Sequence, residues 1–118
     1  MRTLITLVLA LVLGAATTAT AATMSCLVDT PALDRYTPEN CTAVIPGAQF
    51  ATASFRIDPP LPQHFQVLWS DARCNPQKVV CNVTIRVFVP KTMTATVLNF
   101  DNMTFFQVSA TADFENGQ

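Results

Sequence analysis

The side chains that could carry out chemistry in this chain are few and widely spaced. The sequence has one histidine, His64, together with eight acidic residues. Proton transfer by His64 would need a partner acid or base within hydrogen-bond reach, and no serine or cysteine nucleophile stands near it in the sequence. The carboxylates form no pair at a spacing suited to one strand face, apart from Asp113 and Glu115 close to the C-terminus. The sequence therefore predicts a protein that is not an enzyme and that needs no cofactor.

The four cysteines are the most informative of the reactive residues: Cys26, Cys41, Cys74 and Cys81. Structural zinc sites use cysteines separated by only a few residues, and these spacings do not match that pattern, so disulfides are favoured over a metal. Disulfides form in oxidising compartments. Four cysteines allow three pairings. The local one, Cys26 with Cys41 and Cys74 with Cys81, is favoured because each bond closes a compact loop.

The N-terminal residues have the order of features that is typical of a secretory signal peptide. Arg2 precedes an apolar run from Leu4 to Leu13, and small residues follow up to Ala22. The apolar run is shorter than a membrane-spanning helix needs. We expect a signal peptide over residues 1–21 and one β domain over residues 22–118, exported to the periplasm or out of the cell. An uncleaved N-terminal anchor is the alternative.

Composition also argues against two classes of partner. Seven basic and eight acidic residues give a formal net charge of −1, whereas nucleic-acid binding needs a basic surface. No second long apolar run follows the N-terminal one. We therefore expect no nucleic-acid partner, and no membrane span once the signal peptide has been removed.

Alternation of apolar and polar residues, which is typical of half-buried strands, recurs along the rest of the chain. The most regular run extends from Val79 to Val89, and it places Val83 and Ile85 on the face predicted to be buried. Four more runs alternate in the same way, over residues 49–57, 64–70, 92–100 and 104–114. Pro46-Gly47 precedes the first of these runs, and turn residues such as Pro90-Lys91 and Asp101-Asn102 separate later ones.

Close strand spacing without a helical period predicts an all-β fold, a small antiparallel β-sandwich or curled meander of about five to seven strands stapled by disulfides. Phe65 and Trp69 share the inner face of their strand, and we expect Trp69 to be largely buried with its indole N–H bonded. The run 79–89 should be a central strand, because it would promote aggregation at a sheet edge.

The stretch from residue 22 to residue 39 is less regular. Pro31 and Pro38 interrupt it, and Cys26 to Val28 would form at most a short edge strand. A one-turn helix over residues 31–36 is a further expectation, since Thr30 could cap it with Pro31 at its first position.

From Cys41 to about residue 100, the order of features resembles the divergent internalin-B-type repeat of bacterial extracytoplasmic proteins. The matching pieces are Cys41, Pro46-Gly47, the strand 51–57, the prolines of 59–62, Phe65 to Trp69, Cys74, Cys81 to Ile85, and Met93 to Val97. Such repeats are noncatalytic modules of surface or secreted proteins. The resemblance implies a role in structure or binding and supplies no catalytic residue. In a eukaryotic source, Asn40, Asn82 and Asn102 would fit the N-x-[ST] glycosylation pattern.

Two groups of residues are candidates for binding a partner. Phe88 and Phe105 belong to neighbouring strands with phenylalanines on both faces, so either both faces are covered or an aromatic patch is exposed as a partner surface. We expect coverage. Pro59 and Pro60 lie in the loop Asp58 to Gln63, where proline lowers the cost of ordering a recognition surface.

The sequence favours a small exported, noncatalytic β module that acts in structure or protein interaction, with self-association through sheet edges as one form of partner binding. A secreted or periplasmic inhibitor or ligand-binding protein that uses the loop Asp58 to Gln63 is the alternative. A hydrolase ranks last, because no set of nucleophile, base and orienting residue is visible.

Overall fold

The computed structural model describes residues 22–32 and 34–117, and the expected all-β, disulfide-stapled fold is confirmed in that range. The strands are β1 (Met24–Val28), β2 (Thr37–Pro38), β3 (Asn40–Val44), β4 (Phe50–Ile57), β5 (Phe65–Trp69), β6 (Val80–Arg86), β7 (Lys91–Asn99) and β8 (Thr104–Glu115). The signal peptide predicted over residues 1–21 lies outside the described residues. Within the described ranges, no helix has the length and apolar character needed to cross a membrane.

The strands form two sheets of four strands each. Sheet A has the order β2-β1-β4-β6 and sheet B has the order β3-β8-β7-β5. All neighbours pair antiparallel except β3 and β8, which run parallel with Asn40 opposite Thr111. The two sheets pack face to face as a sandwich, and alternate residues of each strand fill the space between them.

The core follows directly from the alternation in the sequence. In sheet A it includes Phe55, Val83 and Ile85, and in sheet B it includes Met93 and Val97, all of them buried. The intervening side chains of β6 point outward and are exposed, as the strict burial alternation of that strand shows. Period-two alternation predicts this arrangement for any strand with one covered face.

Two expectations about strand position are wrong. β6 is an edge strand, bonded only to β4, whereas we expected a central one. β1 is an inner strand of sheet A, flanked by β2 and β4, although its sequence suggested a short edge at most. β6 also ends at Arg86, because Phe88 adopts a left-handed backbone conformation with a φ of 64° that a strand cannot continue.

The first part of the chain differs from expectation in two further ways. The described residues of the stretch 31–36 contain no helical turn; the Thr30 N–H and hydroxyl instead donate to the Asp34 carboxylate. β3 was not expected, because its five residues are too few to show alternation clearly. It forms through nonlocal pairing with β8, where Ile45 N–H donates to the Glu115 carbonyl as the chain leaves the strand.

Candidate interaction surface

The residues proposed for partner binding lie at opposite ends of the sandwich. Phe105 stands at the start of β8, beside the β7–β8 turn, and the loop with Pro59 and Pro60 crosses between the sheets at that same end. Phe88 N–H donates to the carbonyl of Phe114 at the far end of β8. Nine residues of extended strand separate Phe105 from Phe114, a distance of about 30 Å. Phe105 therefore belongs with the proline loop and Phe88 does not.

An exposed apolar patch covers the outer face of sheet B near the β7–β8 turn. Leu98 of β7 stands directly opposite Phe105 of β8, and Leu68 of β5 lies one row away, opposite Thr96. Phe105 is 68% exposed and Leu68 is 49% exposed, and Leu98 on the strand between them is partly buried. We call Leu68, Leu98 and Phe105 the hairpin patch. Side chains in adjacent rows of a sheet are close enough to form one continuous surface.

The turn beside the hairpin patch adds two exposed apolar residues, which flank Asp101 and Asn102. Phe100 is 46% exposed and Met103 is 79% exposed, and Met103 has a left-handed backbone with a φ of 58°. The outer-face neighbours of the patch, Gln66 and Gln107, are uncharged. A contiguous apolar surface without charged residues in its rows is typical of a site that a partner covers.

The loop Asp58 to Gln63 is anchored at both of its ends. Asp58 Oδ2 accepts hydrogen bonds of 2.7 Å from the hydroxyls of Thr23 and Ser25, and Arg56 binds its other oxygen at 3.1 Å. Burial acts to raise the pKa of this carboxyl, and these hydrogen bonds outweigh that effect, so the pKa of Asp58 is lowered. Between the two anchors, Pro59 and Pro60 are exposed.

The second anchor joins the loop to the β7–β8 turn. Asp101 Oδ2 accepts a 2.8 Å hydrogen bond from the Gln63 N–H, and Asp101 Oδ1 lies 2.8 Å from His64 Nδ1. His64 and these backbone donors lower the pKa of Asp101. A carboxyl with a lowered pKa stabilises the folded arrangement while it is ionised, so this tie is complete above about pH 4 and is lost as the pH falls through the lowered pKa.

We expect Asp101→Ala to release the loop without unfolding the protein. The substitution removes the acceptor for the Gln63 N–H, so the protection factor of that amide should fall about tenfold, which is the loss of one charge-assisted hydrogen bond. Hydrogen exchange followed by NMR measures it. Asn102→Ala in the same turn serves as the control and should leave the Gln63 amide unchanged. Equal protection in Asp101→Ala and the wild type would show that the carboxylate does not anchor the loop.

At the opposite end of the sandwich, Phe88 lies among other exposed apolar side chains. Phe50 is 61% exposed, Phe88 56%, Val44 59% and Val89 52%. They come from strand ends and a turn, so unlike the hairpin patch they do not share one strand-to-strand row. We expected the phenylalanine faces to be covered, and for Phe88 and Phe105 that expectation is wrong, because no described element packs over either side chain.

The remaining residues singled out in the sequence form the core and its covalent ties. Val83 and Ile85 are buried, whereas Phe65 and Trp69 are partly buried against the core. The Trp69 indole N–H donates to the Asn75 carbonyl at 3.1 Å. The favoured disulfide pairing is confirmed: Cys26 bonds to Cys41 and Cys74 to Cys81. None of these side chains faces the hairpin patch.

The titratable groups make local pairs. His64 has Asp101 as its partner, yet both are largely exposed and no hydroxyl or thiol nucleophile contacts them in the described residues. Asp71 binds Arg73 and Lys91, and the Arg73 hydrogen bonds hold the pKa of Asp71 far below its ordinary value. In residues 22–32 and 34–117, no three His, Cys, Asp or Glu side chains are grouped as metal ligands. The pairs of Asp101 and Asp71 therefore hold the turns in which these carboxylates lie.

Leu68 and Leu98 were not proposed from the sequence as part of a site. Each faces outward from its own strand, and only the register between β5, β7 and β8 brings Leu98 beside Phe105 and Leu68 into the next row. The alternation predicts that both side chains point outward. The patch itself forms only because strands far apart in sequence pair with one another.

Comparison of the chain with protein-family models, with curated proteins and with solved structures found no match.

Proposed function

We propose that this protein is a noncatalytic β module that binds a protein partner through the hairpin patch. The observation that carries the proposal is the cross-strand row in which the partly buried Leu98 meets the exposed Phe105, with the exposed Leu68 in the next row and no charged residue in either row. A few well-packed side chains, often aromatic, supply most of the binding energy of a protein interface, and Phe105 is the aromatic residue of this patch. The partner should present apolar side chains, because the rows of the patch offer no charge to pair.

The proposal includes export from the cell. Both disulfides need an oxidising compartment to persist, and a periplasmic or extracellular site meets that need. The resemblance to internalin-B-type repeats is part of the same proposal, since those modules act in structure or binding at the bacterial surface.

A second candidate function has its own supporting observation. The loop Asp58 to Gln63 is held at both ends by carboxylate hydrogen bonds, while Pro59 and Pro60 are exposed between them. A loop fixed before binding loses little entropy when it binds. This arrangement suits an inhibitor or ligand-binding protein that presents the loop to its target.

A matched pair of variants separates the hairpin patch from the rest of the surface. Proteins captured by the wild type from the secreted fraction of the source organism are identified, purified and titrated by calorimetry against Phe105→Ser and Phe50→Ser. Both phenylalanines are strand residues more than half exposed, and they lie at opposite ends of the sandwich. We expect Phe105→Ser to lower the affinity for the purified partner about tenfold or more, as loss of an aromatic anchor does. Phe50→Ser should bind the partner as tightly as the wild type does.

The same titration decides against the proposal if both variants bind equally well. A purified partner whose affinity falls with Pro60→Ala and not with Phe105→Ser would instead support the loop as the recognition site.

A further inference from the structure

β8 is longer than β3, the strand that pairs with it on the side away from β7. It pairs with β7 along residues 104–112, but β3 joins it on the other side only from Thr111 onward. Between Thr104 and Ala110, no strand among the described residues pairs with that side of β8. A segment of seven strand residues in sheet B therefore has an open hydrogen-bonding edge.

The backbone groups that face this open edge can be identified. Thr111 N–H donates to the Glu39 carbonyl on the β3 side. Because backbone groups alternate from side to side along a strand, Phe105, Gln107 and Ser109 direct their N–H and C=O groups to the same side as Thr111. In the described part of the chain, no backbone hydrogen bond to these three residues comes from that side.

Space for an added strand is present along this edge. A groove of about 370 Å³ runs beside β8, with residues 107–111 on one wall and residues 22–24, Glu39 and Asn40 on the other. A paired strand would lie about 4.8 Å from β8. The groove therefore leaves room for a second backbone beside Gln107 and Ser109, two of these three residues.

The edges of β5 and β6 differ from this one. The edge of β5 is occupied by the Pro76 carbonyl, which accepts from the Val67 N–H. β6 ends in Arg86 and follows Lys78 closely, and charges at an edge discourage pairing. The segment from Thr104 to Ala110 contains no charged residue, no proline and no glycine. It is better suited to strand addition than the edges of β5 and β6.

We infer that two copies of this chain associate through this edge, with the two β8 strands antiparallel about a two-fold axis at Gln107. In that register Gln107 faces Gln107 of the second copy, and Phe105 faces Ser109, so each free N–H of one copy meets a free C=O of the other. This register uses all three free residues on both copies. A shift toward the C-terminus would bring Thr111 into the pairing, where β3 already occupies the edge. A C2 contact of this kind is closed and produces a dimer without further growth.

The two-fold position of Gln107 makes a charge-swap test possible. Gln107→Lys places two positive charges opposite each other, and Gln107→Glu places two negative ones. Sedimentation equilibrium should show a concentration-dependent wild-type dimer, a dissociation constant raised about fivefold or more in each variant alone, and recovery in an equimolar mixture. Thr84→Lys in the edge strand β6 is the control, since Thr84 is exposed at mid-strand, and this variant should dimerise as the wild type does.

A wild-type monomer at millimolar concentration would overturn the inference, as would dimers unaffected by either Gln107 variant or disrupted equally by Thr84→Lys. If the Gln107 variants do not fold, hydrogen exchange of the wild type decides. Protection of the Phe105, Gln107 and Ser109 amides that rises with protein concentration supports the dimer, and unchanged exchange contradicts it. Both readouts use the pure protein, so their outcome is independent of whether Phe105→Ser loses a captured partner.

Discussion

Phe55→Ala should lower the free energy of unfolding by about 3–5 kcal/mol, the range measured for truncating buried phenylalanines. Phe55 is 0% exposed in β4, and β4 lies between β1 and β6 in sheet A. Its register places it opposite Cys26 on one side and Cys81 on the other. The cavity would therefore open between strands that both disulfides hold in place, so the surrounding residues have little freedom to collapse into it.

Phe50→Ala is the matched control, because it makes the same chemical change five positions earlier in the same strand. Phe50 is 61% exposed, and truncating an exposed side chain usually changes stability by about 0.5 kcal/mol or less. Urea unfolding followed through the fluorescence of Trp69, the single tryptophan, measures both variants. Since small domains are stable by only about 5–15 kcal/mol, the Phe55 variant should unfold at a much lower urea concentration. Equal midpoints would mean that the centre of sheet A is loosely packed.

The strands with clear alternation could be predicted from the sequence almost to their ends. β4, β7 and β8 begin and end within one or two residues of the predicted runs. In these strands one face meets the core and the other does not, so the chemical pattern along the chain records the burial pattern. β3 alternates as well, but over only five residues, and its partner β8 comes far later in the chain.

The position of a strand within its sheet was harder to infer than its existence. β6 has the most regular alternation in the chain, and we expected a central position to prevent aggregation. Alternation reports only that one face is covered; it carries no information about how many neighbours a strand has. The structure leaves β6 at the edge with an exposed outer face that is polar at Asn82, Thr84 and Arg86 and apolar only at Val80. Polar and charged side chains of this kind make an edge strand tolerable.

The candidate site shows the same limit. The alternation in β8 predicted that Val108, Ala110 and Phe114 face inward, and therefore that Phe105 faces outward. Whether an outward face is covered depends on what else packs there, which a single strand does not encode. The open edge beside Phe105 depends on where β3 begins to pair with β8, and that register is a property of two distant segments. Coverage of a strand face and the register between distant strands are nonlocal properties. The alternation along one strand predicts only the direction in which its side chains point.

Replacing both Cys26 and Cys41 by alanine should be the second most destabilising change, at about 3 kcal/mol in the chain-entropy model. The cysteines are 15 residues apart, and their bond joins β1 in sheet A to β3 in sheet B. Both are buried, and alanine keeps each site apolar. β3 has no sheet neighbour other than β8, so loss of this bond leaves five residues of parallel pairing to hold it.

The second disulfide provides the comparison. Cys74 and Cys81 are 7 residues apart and close a shorter loop, and the same model gives about 2.5 kcal/mol for their replacement. The two pairs therefore differ little in loop entropy but differ in what they connect, because the second bond only ties the turn before β6 to β6 itself. Urea unfolding should show that the Cys26–Cys41 variant is less stable than the Cys74–Cys81 variant. Amide exchange should show lost protection in β3 for the Cys26–Cys41 variant alone. The reverse ranking would mean that pairing with β8 is enough to hold β3, and that the inter-sheet bond contributes no more than the loop it closes.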